Sequence, residues 1–361
     1  MKVALLHGYS ASNAGDGLLV EESLGIVREA LGDDVEFILA ASHPETFEYL
    51  GITTVNSAPG KRGYDRAYLD LLRGLDDLDL VVGVGGGYLR AGYLEEAAKM
   101  ALVHGPQLLA AGRTSTPTIY LPQSVGPAKS FTYKMIGQGV GKVRRFYVRD
   151  DRSLAEYGPY GAVRASDLAI LGADAELGDA PPAPVPVVSA RPVRGVVPPL
   201  VLDLCRQIGT FEGYVQSATS GNDDRSVMNS IGATRILTRS ELMTPGSETR
   251  VVVAVRLHAA LMALRAGHFV IHLAYERKGF GAFEDLGIAD YVHNVNMFEP
   301  ERILRQIDEL ISDPEVRDDY RSRQRRALDT ASVGREALVN DIRALAMSGS
   351  RPDEFEKTAL G

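Results

Sequence analysis

The first half of the chain alternates short apolar runs with longer stretches in which apolar residues recur every three to four positions. The runs at 2–6, 35–39, 80–84, 118–121 and 146–149 read as strands, since short, mostly apolar segments suit strands buried on both faces. The stretches at 17–31, 64–75, 94–111 and 131–139 carry a helical period. Strand alternating with helix predicts a parallel sheet covered on both sides. Residues 180–186 then place four prolines in seven positions, which neither a helix nor a central strand accepts. That segment reads as a domain linker. Beyond it the alternation resumes, with strands expected at 187–190, 213–216, 251–255 and 269–273. Helices are expected at 198–208, 223–231, 258–266 and 301–311. The pattern predicts an α/β protein of two Rossmann-like domains facing a cleft. The N-terminal domain is expected at 1–180 and the C-terminal one at 187–311, with charged helices at 312–347 and a frayed tail at 348–361. In open α/β sheets ligands lie beyond the carboxyl ends of the strands, so the chemistry is sought immediately after them.

Composition removes several classes. The 361 residues carry 39 Lys and Arg against 47 Asp and Glu, a net charge of −8. An acidic chain is a poor general binder of nucleic acid, and none is expected as a partner. The single Cys205 excludes a disulfide framework and a thiolate-rich metal site. No metal-ligand cluster is visible in the sequence. No stretch free of charge is long enough to span a bilayer, which leaves transient membrane contact open. The apolar start meets Gly8 and Asn13 too soon for a secretory segment, so a soluble cytoplasmic protein is expected. Gly83, Gly85, Gly86 and Gly87 resemble a dinucleotide fingerprint but put Tyr88 where its third glycine belongs. Phosphate-loop, zinc-helix and nucleophile-elbow motifs are absent.

The most informative segment is 251–267. A five-residue apolar run leads to Arg256, Leu257 and His258, and then to a nearly all-apolar helix closed by Gly267. Residues two apart on extended chain share a face, so Arg256 and His258 are expected to face one space. A buried guanidinium needs a partner. Either a structural ion pair with a capping histidine or an anion site with an acid–base group beside it fits. Arg191 stands at the equivalent position after the strand at 187–190, and two arginines after two strands of one sheet can meet one anion. Lys278 follows the next strand as a further cation, with Gly279 and Gly281 open to close backbone approach. In the first domain, Asn13 and Asp16 read as a capped helix start or as groups facing the cleft. Gly85, Gly86 and Gly87 read as a tight turn or as a place where backbone meets ligand. Gln123 and Ser124 form a polar turn after a strand. Arg149, with Asp150 and Ser153, reads as structural.

These pieces together resemble the polysaccharide pyruvyl transferases. The resemblance rests on Asn13-Ala14-Gly15-Asp16, Gly85-Gly86-Gly87-Tyr88-Leu89, 121–127, Arg149-Asp150 with Ser153, Ser189-Ala190-Arg191, Arg256-Leu257-His258-Ala259 and Tyr275-Glu276-Arg277-Lys278-Gly279. It spans about residues 1–290, and Arg-x-His followed about 20 residues later by Tyr-x-x-Lys-Gly is its most specific part. The resemblance implies a fold like glycosyltransferase type B. It implies transfer of pyruvate from phosphoenolpyruvate, a co-substrate with no further cofactor, to a sugar diol of a cell-surface glycan, an exopolysaccharide or a lipid-linked precursor. The product is a cyclic ketal, with phosphate released. It maps donor binding and catalysis onto Arg191, Arg256 and His258, with Leu257 meeting the donor through its backbone and Lys278 and Gly279 beside it. The acceptor side would then hold Asn13, Asp16, Gly86, Gly87, Gln123 and Ser124. The family tends to carry an acidic residue near the triple glycine. Here the stretch has no Asp, and Glu95 or Asp16 would have to serve. A nucleotide-sugar glycosyltransferase of the same architecture, with Glu276 or Glu284 holding a ribose, is the alternative. A non-catalytic sugar-binding or scaffold protein is a third reading. Neither the acceptor sugar nor the oligomeric state is written in the chain.

Overall fold

The computed structural model describes residues 1–172, 180–219 and 222–349. Residues 173–179 of the expected first domain, and all but the start of the expected tail at 348–361, lie outside the described residues. Contacts divide the chain into two compact units. The first holds Met1–Ser10, Leu19–Ala165 and Arg335–Gly361; the second holds Ala11–Leu18 and Ser166–Gly334. Two boundaries differ from the sequence reading. The main change-over falls at Ala165/Ser166, ahead of the prolines. The segment at 11–18, which includes the start of the helix Ala14–Leu31 and is expected in the first domain, packs with the second unit.

In the first unit β1 (Lys2–Gly8), β2 (Glu36–Ala41), β3 (Thr53–Asn56), β4 (Leu80–Gly83), β5 (Gly86–Ala91), β6 (Thr118–Ala128), β7 (Arg145–Val148) and β8 (Ala162–Arg164) form one sheet. Its order is β3-β2-β1-β4-β6-β7-β8, with β5 also on β6, and every pairing is parallel. The helices are α1 (Ala14–Leu31), α2 (Arg66–Arg73), α3 (Leu94–Lys99), α4 (Gly105–Ala111), α5 (Ser130–Val140) and α6 (Asp151–Tyr157). One helix was expected over 94–111. The chain instead inserts a wide π turn at Met100–His104 between α3 and α4. Pro106 has no N–H to continue an α ladder there, which accounts for the break.

In the second unit β9 (Val187–Ser189), β10 (Glu212–Tyr214), β13 (Ile236–Leu237), β14 (Val251–Ala254), β15 (Phe269–Ala274) and β16 (Val292–Asn294) pair in the order β13-β10-β9-β14-β15-β16. A small hairpin of β11 (Ala218–Thr219) and β12 (Asn222–Asp223) stands apart from this sheet. The main sheet is wholly parallel and has the doubly wound order of a Rossmann sheet. Strands β9, β14 and β15 are buried along their full length, as their apolar runs require. The helices are α7 (Leu168–Leu171), α8 (Pro199–Ile208), α9 (Arg225–Ser230), α10 (Arg239–Leu242), α11 (Leu257–Arg265), α12 (Arg277–Asp285) and α13 (Pro300–Ser312). Finally α14 (Pro314–Gly349) begins in the second unit and ends in the first. Its last part is tied to the first unit by Tyr147 donating to Asp341, and by Arg335 pairing with Glu29 at 2.8 Å.

Candidate functional site

The winding of the second sheet reverses between β9 and β14, where an open parallel sheet leaves room for a ligand. Ser189 of β9 is in register with Ala254 of β14, and Ala254 with His272 of β15. Two residues on from the first pair stand Arg191 and Arg256. Arg256 precedes the first turn of α11, with Leu257 and His258 opening the helix. The sheet thus brings together the Arg191, Arg256 and His258 that the chain pattern singled out. Lys278 follows from β15, inside the first turn of α12.

The electrostatic partners of these groups differ. Arg256 is buried and clamped by Asp224, whose carboxylate accepts from Nε at 2.5 Å and from Nη2 at 2.7 Å. Burial pushes the Asp224 carboxyl up from its ordinary range, while Arg256 and the nearby Arg191 pull it down. Lys278 pairs with Glu276 at 3.0 Å. Among the described residues the hydrogen-bond partners of Arg191 are neutral: it donates to the Tyr275 hydroxyl at 2.9 Å and to the Pro192 carbonyl at 2.9 Å, with the Tyr275 ring beneath its guanidinium. Gly279 is explained by packing, because a methyl placed on it would collide with the buried His272 ring. Its amide donates to the Glu276 carbonyl at 3.1 Å. His272 accepts no charge there, since burial and the neighbouring Lys278 lower its pKa to about 4.

Asn13 and Asp16 join this same unit, and their local geometry shows why. Asn13 forms an antiparallel bridge with Ser217. Its amide donates to Asp16 at 2.7 Å and accepts from the Gly15 N–H at 3.2 Å, a short turn that opens α1. Gly15 lies directly on His258. A methyl there would approach Cβ, Cγ and Nδ1 of the imidazole well inside the 3.0 Å that real contacts keep. The glycine of Asn-x-Gly-Asp is therefore the floor on which the His258 ring rests.

The other sequence-singled residues gather in the first unit. Gly86 is in register with Gln123, and Gln123 with Val148, so β5, β6 and β7 bring Gly86, Gly87, Gln123, Ser124 and Arg149 together. Arg149 is buried and donates to Ser124 at 3.1 Å, and its guanidinium lies against Gly87. Asp150 caps α6 by accepting from the Ser153 N–H at 2.8 Å, and the Ser153 hydroxyl accepts from the Val125 N–H at 2.9 Å. The Arg-Asp-x-x-Ser spacing thus anchors the Gln123–Val125 stretch. Glu95 stands exposed in the first turn of α3. Its neighbour Glu96 is the one engaged, accepting from the N–H groups of Gly92 and Tyr93 and pairing with Arg90 at 3.1 Å.

Sequence reasoning missed three things. Asp224 lies 32 positions from Arg256 and falls in the first turn of the helix expected at 223–231. Tyr275 was singled out only as part of a turn and of the Tyr-x-x-Lys-Gly motif, with no role as the partner of Arg191. His7, expected just after the first strand, lies inside β1 with a left-handed backbone (φ 73°). It bonds the Tyr120 hydroxyl at 2.8 Å, approaches His104 at 3.3 Å, and stacks on the Tyr88 ring. Burial lowers the pKa of both histidines, His104 to about 3. Tyr88 thus packs against both imidazoles, which also touch each other.

Two doubly wound parallel sheets in one chain define the architecture of the type B glycosyltransferases and related epimerases. The fold is similar to that of a UDP-GlcNAc 2-epimerase from Neisseria meningitidis (TM-score 0.55, 12% identity, 95% of this chain and 99% of that one). It is also similar to that of a mutant O-GlcNAc transferase from Thermobaculum terrenum (TM-score 0.52, 13% identity, 97% and 69%). None of the curated proteins matches the sequence. The model of the family described as polysaccharide pyruvyl transferase matches residues 13–277, from the Asn13 turn to the start of α12, and the chain belongs to that family.

Proposed function

We propose that the protein transfers pyruvate from phosphoenolpyruvate to two hydroxyls of a sugar diol in a glycan or lipid-linked saccharide, releasing phosphate. The observation that carries this reading is the register of β9, β14 and β15, which lines Arg191, Arg256 and the Tyr275–Lys278 turn along one sheet edge with His258 beside them. Phosphoenolpyruvate is a small polyanion with a carboxylate and a phosphate, and planar guanidinium forks suit both. In this reading Arg191 and Arg256 hold the donor, with the Leu257 amide and Lys278 alongside. His258 delivers a proton to the methylene carbon. The adjoining carbon becomes oxocarbenium-like, and one sugar hydroxyl adds to it with loss of its proton. The second hydroxyl displaces phosphate, whose departure the arginines assist, and its proton leaves with that phosphate. The ring closes as a ketal bearing a methyl and a carboxylate. Gln123, Ser124, Gly86 and Gly87 of the first unit, with Asn13 and Asp16, are the acceptor-side groups of this reading. No described helix is long and apolar enough to cross a membrane.

The fold alone also suits a nucleotide-sugar glycosyltransferase, but Glu276, one of the carboxylates such an enzyme could use for a ribose, is paired with Lys278. The deciding experiment incubates the protein with phosphoenolpyruvate and a panel of glycan diols, following phosphate release and product mass. Acceptor-dependent phosphate and a product heavier by one pyruvyl group are expected. Turnover of a nucleotide sugar without either result overturns the reading.

A further inference from the structure

Asp224 stands just before α9, its side chain 1% exposed against 8% for Arg256. Its two oxygens take the Nε and Nη2 edge of the Arg256 fork. Its own N–H donates to Ser217, the residue that bridges Asn13, so the carboxylate is fixed through its backbone as well. We infer that Asp224 is a positioning residue, which holds the Arg256 guanidinium by one edge so that the rest of the fork is pre-set for the donor anion. This rests on the pyruvyl-transfer reading for the identity of the ligand.

A purely structural role is the competing account. Buried ion pairs are often replaceable by apolar residues without loss of stability, so a pair kept at the strand-order reversal, beside Arg191, calls for a reason other than stability. The guanidinium is planar, and fixing its Nε edge fixes the direction of every remaining N–H. Pre-set donors need no reorganisation when charge develops on the leaving phosphate. Arg191 lacks such a clamp; only the Tyr275 hydroxyl and a carbonyl hold it. The carboxylate also tempers the field. Its negative charge offsets part of the charge of the two arginines, which limits retention of the phosphate product.

The test compares Asp224→Asn, Asp224→Glu, Arg256→Lys and the double variant Asp224→Asn/Arg256→Lys. Asp224→Asn should lower kcat by about 10-fold or more, with KM for phosphoenolpyruvate changed little. It should tighten inhibition by inorganic phosphate. Asp224→Glu, which keeps the charge, should recover part of kcat, and it serves in place of the Asn variant should that one misfold. The double variant should be no slower than Arg256→Lys alone. A kcat within about 2-fold of wild type for Asp224→Asn, or losses that multiply in the double variant, overturns the inference. A second readout does not depend on the reaction: the Arg256 Nε–H resonance should exchange slowly in the wild type and be lost in Asp224→Asn. An unchanged resonance overturns the clamp. A wild type that binds phosphate and shows this resonance, yet transfers no pyruvate, overturns the proposed function alone.

Discussion

Replacing Gly15 by alanine tests whether the Asn-x-Gly-Asp turn supports the His258 imidazole, to which the proposed function gives the catalytic proton. Gly15 lies inside α1 with a backbone that any residue accepts, so the added methyl meets no conformational penalty of its own. Its cost is contact. The methyl would overlap Cβ, Cγ and Nδ1 of His258, so a gap must open by about 1 Å to restore ordinary carbon contacts of about 3.5–4.0 Å. His258 has little room to retreat, because Leu257, Ala259 and Ala260 around it in α11 are buried. Overpacking of this kind costs about 1–3 kcal/mol. A 1 Å misplacement of a catalytic group costs about 100-fold in rate. Gly25 of the same helix is the control, because a methyl there meets nothing within 4 Å. Alanine at that position should stabilise by about 0.5–1 kcal/mol through helix propensity and leave turnover alone. Thermal unfolding and acceptor-dependent phosphate release are measured on both variants. At about 2–4 °C per kcal/mol for units of this size, the two midpoints should move in opposite directions. Turnover of Gly15→Ala within about 2-fold of wild type, with a midpoint no lower than that of Gly25→Ala, would refute the contact argument.

Other contacts lead to three more expected outcomes. His7 and His104 are held neutral by burial, as are His268 and His272 at about 4, all below the ordinary histidine value. The unfolded chain takes up protons below about pH 6.5 that the folded chain refuses. Stability is therefore full above that pH and is lost as pH falls toward 4, by up to about 1.4 kcal/mol per histidine per pH unit. Urea midpoints at pH 7.5, 6 and 5 check this, and equal midpoints would contradict it. Tyr275→Phe keeps the ring beneath Arg191 but removes its hydrogen bond, and should raise KM for phosphoenolpyruvate several-fold with a smaller change in kcat. Ser153→Ala leaves the Val125 N–H buried without its acceptor, which should cost about 1–3 kcal/mol in thermal unfolding.

What could be read from the chain is what neighbours along the chain decide. The β14 run at 251–255 was legible because a strand covered on both faces must be apolar throughout, and Arg256 and His258 were legible because they break that run. Strands β3, β8, β13 and β16 are only two to four residues long, too short for a period to show. The linker prolines were a true break in secondary structure, but the contacts that assign a segment to a unit are long-range, and Ser166–Leu171 already packs with the second unit. The same limit hid Asp224, whose meaning depends on a partner 32 residues away. It also misplaced Asn13 and Asp16, whose unit is settled by Ser217 and His258.

Charge is where the two levels diverge most. Arg191, Arg256 and Lys278 suggest, as letters, a concentration of positive potential within an acidic chain. In the fold Arg256 faces Asp224 and Lys278 faces Glu276, and Arg191 has no carboxylate within ion-pair distance among the described residues. Arg256 and Lys278 are therefore already ion-paired, while Arg191 is held by neutral hydrogen-bond partners with Asp224 nearby. A loose field of three charges would bind any polyanion and weaken steeply with salt. Fixed forks favour the anion whose oxygens match their directions. Under the proposed function, the selection of donor lies in the orientation of N–H groups, and Asp224 and Tyr275, which hold those groups, matter as much as the arginines they hold.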